Sequence, residues 1–371
     1  MRFISAALLM VSAVLVCAQT PPKVRAQLPE PAVPPDPLEL ITGDAQPVQN
    51  ADQRAAVMNA LTKSVSLSNV RAFPYYRKTT FTSFGSTASD GNWQLEDMSP
   101  GGGLYRWTAQ GPSYSAINLY TNQMLYSNQP GVAIPVRLAQ VRTAMFFVRP
   151  FVGPRATLRT ASANLNGTTL ECVLLSHMGA AQGATGSRRW EEEEYCLDAA
   201  SGAMITYSPA PGLYIQYDYS QAVHFQDRLI PNKFTIFQAG RTIIEAQTVS
   251  VSDPPTDSSL FQQSGLSQLG MGSLMTPPLS VRSVIPSEVL PPGSAQIVAV
   301  HGMRSSSGQI TDIELLASSN SALNATAATF ASNWHPTGAP DDVEPGATPQ
   351  SREVLMILTF FGATSATVSQ R

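Results

Sequence analysis

The sequence predicts an α+β protein, with one large curved antiparallel sheet carrying helices and a small ββαβ unit at the C-terminal end. Short segments of alternating or aromatic-rich residues follow one another from Tyr75 to Val251, separated by Gly, Pro, Asn and Asp, which is how antiparallel strands and their turns read. One stretch of helical spacing precedes this series and another interrupts it. The length of 371 residues fits about two folded units of roughly 150 residues with connectors.

Composition narrows the classes further. Asp, Glu, Lys and Arg make up 13% of the chain, about half the usual share, while 43% of residues are apolar, so the chain can build cores and is not disordered throughout. The formal net charge is −3 and no Lys/Arg block occurs, which leaves no electrostatic footprint for a nucleic-acid backbone.

Arg2 precedes an uncharged, mostly apolar run over residues 3–16, and Val16 and Ala18 suit a cut after Ala18. Residues 1–18 read as an export signal, because the run is shorter than the roughly 20 apolar residues of a spanning helix. Two alternatives stand: an uncleaved anchor, and lipid attachment at Cys17. The second is disfavoured by the bulky Val16 where a bacterial lipobox has Gly, Ala or Ser. Residues 19–50, with Pro21, Pro22, Pro29, Pro31, Pro34, Pro35 and Pro37, read as an extended tether.

The first folded unit is expected over 51–262. A helix opens it, with Ala55, Val57, Met58 and Leu61 at helical spacing after Asp52. Strands are expected at 75–84, 93–97, 103–109, 113–120, 123–127, 156–165, 169–176, 189–197, 203–208, 213–219, 233–238 and 241–251. Residues 135–148 form the second helix, laid against the sheet through Val136, Leu138, Val141, Met145 and Val148.

Removal of the signal leaves two cysteines, Cys172 and Cys196, each in a strand-like run. In an exported protein a disulfide between them is the default, with a loop-closure value of roughly 3.5 kcal/mol in the chain-entropy model. No CxxC and no metal-type Cys/His spacing surrounds either one.

The segment from His224 to Ser252, followed by Asp257-Ser-Ser-Leu-Phe261, resembles the end of the LolA-like outer-membrane lipoprotein carrier superfamily. That resemblance implies a half-barrel enclosing a hydrophobic cavity for acyl chains. Trp107, Met145, Phe146 and Phe147 are the candidates to line it, the alternative being that they fill the core between sheet and helix.

Residues 263–292, rich in Gln, Ser, Gly, Leu and Pro, read as a linker to a second unit over 293–361, with a tail at 362–371. Residues 295–302 and 309–318 alternate as a hairpin. Leu323, Ala327, Phe330, Ala331 and Trp334 share a helical face, and 352–360 supply a last strand. Gly308, the helix motif around Leu323 and Asn324, Trp334 with Pro336, and the strand ending at Phe360 resemble the TonB C-terminal domain. Asn324 replaces the family's usual Asp, and the Trp334 to Pro336 spacing is short. The resemblance implies that the last strand, with Val354, Met356, Leu358 and Phe360, offers its edge to an extended segment of a partner.

Chemical motifs are sparse. The four histidines are scattered, and the sequence holds neither HExxH, GxSxG nor a P-loop. Alternate carboxylates of Glu191 to Glu194 face opposite sides of a strand and do not converge on one cation, so this run reads as a solvated hairpin. No catalytic residue, metal or cofactor is therefore expected. The expected protein is a non-enzymatic, periplasmic or otherwise exported envelope protein that binds a hydrophobic ligand or serves as a scaffold, and takes a protein partner by strand addition. An energy transducer of the TonB class, anchored in the envelope membrane by an uncleaved N-terminus, is the alternative. It fits poorly, because about 17 extended residues span only about 50 Å. A secreted hydrolase with carboxylates assembled by folding is the third reading.

Overall fold

The computed structural model describes residues 30–34, 40, 44–85, 88–146, 150, 152–153, 156–177, 186–271, 277–335 and 351–362. The export signal, most of the tether, Phe147, Pro336 and the tail after Gly362 lie outside these residues.

In chain order, β1 (Gln46–Pro47) and α1 (Ala51–Ser68) lead into a first meander. It comprises β2 (Tyr75–Ser83), β3 (Gly91–Gly101), β4 (Leu104–Gln110), β5 (Ser115–Thr121) and β6 (Met124–Ser127), and ends at α2 (Val136–Phe146). A second meander runs through β7 (Thr157–Leu165), β8 (Thr168–Ser176), β9 (Glu193–Asp198), β10 (Met204–Ala210) and β11 (Leu213–Asp218). A small hairpin, β12 (Val223–Phe225) with β13 (Arg228–Ile230), precedes β14 (Lys233–Gln238) and β15 (Arg241–Ser252). The chain closes with β16 (Ser267–Met271), β17 (Leu279–Ser287), β18 (Ala295–Arg304), β19 (Ile310–Ser318), α3 (Asn324–Asn333) and β20 (Arg352–Gly362).

Fourteen strands form one open, curved sheet in the order β1-β7-β8-β9-β10-β11-β14-β15-β2-β3-β4-β5-β6-β16. Antiparallel pairing of β15 with β2 joins the two meanders. The period of two decides which side chains face in: along β2, Tyr75, Arg77, Thr79, Phe81 and Ser83 are buried while the residues between them are more exposed. Helix α1 starts where the Asn50 side chain accepts from the Gln53 N–H at 2.9 Å, an N-cap, and it buries Leu61 and Ser64.

Helix α2 is buried on more than one side: Val136, Arg137, Leu138, Gln140, Val141, Arg142 and Ala144 are all buried. A helix on an open sheet needs only one apolar stripe, and the second cover here is a small four-stranded sheet in the order β17-β20-β18-β19. Ile297, Ala299, Leu316 and Leu355 of that sheet join the core shared by α2 and the large sheet. From its opposite face Val298, Val300, Val354, Met356, Leu358 and Phe360 pack with Leu323, Ala327 and Ala331. The layers therefore run large sheet, α2, small sheet, α3.

Several expectations change accordingly. The segments 51–262 and 293–361 share a core. Arg137 of α2 donates to both carboxylate oxygens of Glu314 on β19, at 3.0 and 2.6 Å, and Gln238 of β14 donates to the same carboxylate at 2.6 Å. Thr143 of α2 donates to Glu353 of β20. Residues 263–292 are not simply a linker: β16 pairs with β6, and β17 runs parallel to β20 over nine registered residues. As a result β20 lies inside its sheet, and Val354, Met356, Leu358 and Phe360 are core residues under α3, not an open edge. The end of the tether is pinned too, since β1 pairs with β7. The Glu191 to Glu194 run is not a solvated hairpin. Glu192 receives two hydrogen bonds from Arg159, at 2.8 and 2.6 Å, and Glu194 lies fully buried 3.6 Å from Arg188.

Candidate functional site

A cavity of about 290 Å³ opens where both helices of the large unit end. Ser64, Val65 and Ser68 of α1 and Ala144, Met145 and Phe146 of α2 form one wall. The sheet supplies Arg77 of β2, Tyr105 of β4, Met204 of β10, Tyr217 of β11 and Phe234 of β14, and Asn69, Arg71, Tyr219 and Pro231 complete the lining. The volume sits at the lower end of the roughly 300–1,000 Å³ of small-molecule sites. Tyr217 fixes α2 over the sheet by donating to the Ala144 carbonyl at 2.8 Å. Burial pushes the Tyr217 and Tyr219 phenols up, so both stay neutral hydroxyls.

Charge is concentrated beside this aromatic wall. Arg77 is fully buried and its terminal nitrogen donates to Thr248 Oγ1 at 2.9 Å. Burial lowers its pKa to about 10, and neighbouring Asp97 opposes that fall. Arg71 stacks over Tyr105 and Phe146, with 5.1 and 5.6 Å to the ring centroids. Asp97 of β3 accepts from the Tyr75 hydroxyl and lies 3.6 Å from Arg142, whose guanidinium rests 4.0 Å over Trp107. Burial raises the Asp97 pKa against the lowering pull of Arg142.

The predicted residues separate on this geometry. Met145 and Phe146 line the cavity, whereas Trp107 lies in the core beneath Arg142 and does not reach it. Phe147 is outside the described residues. Cys172 and Cys196 face each other across β8 and β9 and are joined by a disulfide. Gly308 makes the β18–β19 turn at φ +86°, Asn324 begins α3, Leu323 is buried, and Trp334 follows the helix. Among the described residues no group of three His, Cys, Asp or Glu side chains is placed to hold a metal ion. Sequence reasoning missed Ser64, Arg71, Arg77, Tyr105, Tyr217, Tyr219 and Phe234. A signal existed for Arg77, a charge at an inward position of an alternating strand.

No family model matches the chain, and no curated protein does. Solved structures resemble it at low similarity. A LolA superfamily protein from Nitrosomonas europaea is 9% identical with a TM-score of 0.35, over 55% of this chain and 96% of that one. A putative outer membrane lipoprotein-sorting protein domain from Vibrio parahaemolyticus is 6% identical with a TM-score of 0.36, over 55% and 98%. A DUF1329 family protein from Desulfovibrio piger is 7% identical with a TM-score of 0.40, over 57% and 98%. None of the three is a TonB C-terminal domain, and at these scores none assigns a function to this chain. Among the described residues, no helix is long and apolar enough to cross a membrane.

Proposed function

We propose that the protein is an exported envelope protein that holds a small hydrophobic or amphipathic ligand in the cavity between the ends of α1 and α2 and the large sheet. The observation that supports this reading is a recess walled by Met145, Phe146, Tyr105, Tyr217 and Phe234 at the ends of α1 and α2. The small sheet serves as the scaffold that clamps α2 in place. Titration of the full chain with an environment-sensitive apolar dye tests the reading. Val65→Trp, which fills the recess from α1, is expected to abolish saturable binding without lowering the melting temperature. Unchanged binding by that variant would contradict it.

The role given to a protein partner moves with the topology. We assign strand addition to β17, one of the two outer strands of the small sheet, where Val284 is 71% exposed. Protection of the β17 amides from hydrogen exchange on adding an envelope fraction would support that pairing, and unchanged exchange would contradict it.

A further inference from the structure

The outer face of the large sheet carries a second and larger depression. A trough of about 980 Å³ crosses β14, β15, β2, β3 and β4, which are neighbours in that order. Strand alternation sorts its lining: Phe81, Trp93, Phe234 and Ala246 are buried toward the core, and the residues on either side of each point outward. Register then aligns the outward residues into rows. Lys233, Gln247, Thr80, Gln94 and Gln110 stand opposite one another across the five strands. Thr235, Glu245, Thr82 and Asn92 form a second row beside them, in which Thr82 donates to Asn92 at 2.9 Å. Next to Gln110 the turn at Gly111 and Pro112 makes a wall. It is fixed to the sheet, since the Gly111 N–H donates to the Tyr114 carbonyl at 2.8 Å and a Cβ on Gly111 would lie 2.3 Å from the Trp93 ring.

The charge of this face is balanced. Apart from Lys233 and Glu245, which cancel, every side chain in the two rows is an amide or a hydroxyl, able both to donate and to accept. The next charges along the face, Lys78 and Glu96, pair with each other at 3.4 Å. Complementarity therefore favours a neutral ligand rich in paired donors and acceptors, and disfavours a polyanion or an acyl chain. Spacing narrows the class further. Neighbours in a row are about 4.8 Å apart, so five strands make a row about 19 Å long. That step is close to the length of one pyranose ring in an extended chain.

We propose that the trough binds a neutral, extended oligosaccharide laid across the strands, its hydroxyls on the Gln247, Gln94 and Gln110 amides and the Thr80 hydroxyl. At one ring per strand step the row holds about four rings. The recess on the other face of the sheet takes no part in this site.

Chemical-shift titration of the full chain with cellobiose, cellotetraose and a tetramer of galacturonic acid tests it. Cellotetraose is expected to saturate with a Kd of about 1 mM, the scale of a few neutral hydrogen bonds, and cellobiose to bind about 10-fold more weakly. The acidic tetramer is expected to bind more weakly than cellotetraose. Gln94→Ala/Gln247→Ala, at two exposed positions flanking Thr80, is expected to weaken cellotetraose about 10-fold or more while the melting temperature stays that of the parent. No saturation by cellotetraose, equal affinity for cellobiose and cellotetraose, or tighter binding of the acidic tetramer would each overturn the assignment. Unchanged affinity in the double variant would place the sugar elsewhere and overturn it as well.

Discussion

Replacing Glu314 by Ala removes the carboxylate that ties the small sheet to α2. Arg137 is 1% exposed and would keep only its hydrogen bond to Gln140, at 2.8 Å, with its Nε already unpartnered. Gln238 would also lose the acceptor it now has at 2.6 Å. Leaving one charge of a buried pair uncompensated costs roughly 3–5 kcal/mol. Glu314 is 19% exposed on its side chain, so water reaches the gap and the lower end, about 3 kcal/mol, applies. At about 2 °C per kcal/mol for a chain of this size, the melting temperature should fall by about 6 °C. Urea titration and calorimetry on the full chain measure both quantities. Because the layers share a core, the whole protein should unfold in one shifted transition. The double variant Arg137→Met/Glu314→Leu should recover most of the loss, since an apolar pair of similar volume replaces the ion pair at little net cost. Two separate transitions, with only the later one moved, would refute the shared core, and a loss under about 1 kcal/mol would refute the assigned role of the pair.

Three further outcomes are expected. Joint replacement of Cys172 and Cys196 by Ala should lower stability by about 3.5 kcal/mol, the loop-closure value for a sequence separation of 24, read by urea unfolding. Gly212→Ala should destabilise by more than about 1 kcal/mol in the same assay, because φ is +80° there and an added Cβ would lie 2.1 Å from the Leu316 carbonyl oxygen. The hydrogen bond to Glu193 raises the His177 pKa above its usual 6.5. That stabilisation is therefore full at pH values below 6.5 and is lost as pH rises through the raised folded pKa. The group is 37% exposed, so His177→Gln should differ from the parent by only about a few tenths of a kcal/mol at pH 5.5 and not at all at pH 9, by urea midpoints.

Local chemistry made much of the large sheet legible. Strand β14 falls on the residues its alternation and flanking turns mark, and α1 extends the helix read from Val57, Met58 and Leu61 by about one turn. What local pattern could not carry was which polar residues turn inward. Arg137 and Arg142 look like the wet side of α2, yet both are buried in ion pairs whose partners lie far away in sequence, Glu314 and Asp97. Strand β17 was hidden by the Ser, Pro and Gly around it, and its parallel pairing with β20 depends on residues more than seventy positions later. The cavity draws on seven separate elements, so only Met145 and Phe146, which sit beside each other on a recognisable helix, were within reach of sequence reasoning.

The central claim is that the recess at the ends of α1 and α2 is where ligand sits, and the twelve methionines of the chain can report on it directly. Methyl-resolved NMR of the protein with labelled methionine, titrated with decanoate, should shift the Met145 and Met204 resonances, which line the cavity. Met303 and Met356, buried in the small sheet, should stay in place. Shifts at Met303 or Met356 with none at Met145 and Met204, or no shift at any methionine under saturating decanoate, would contradict the account.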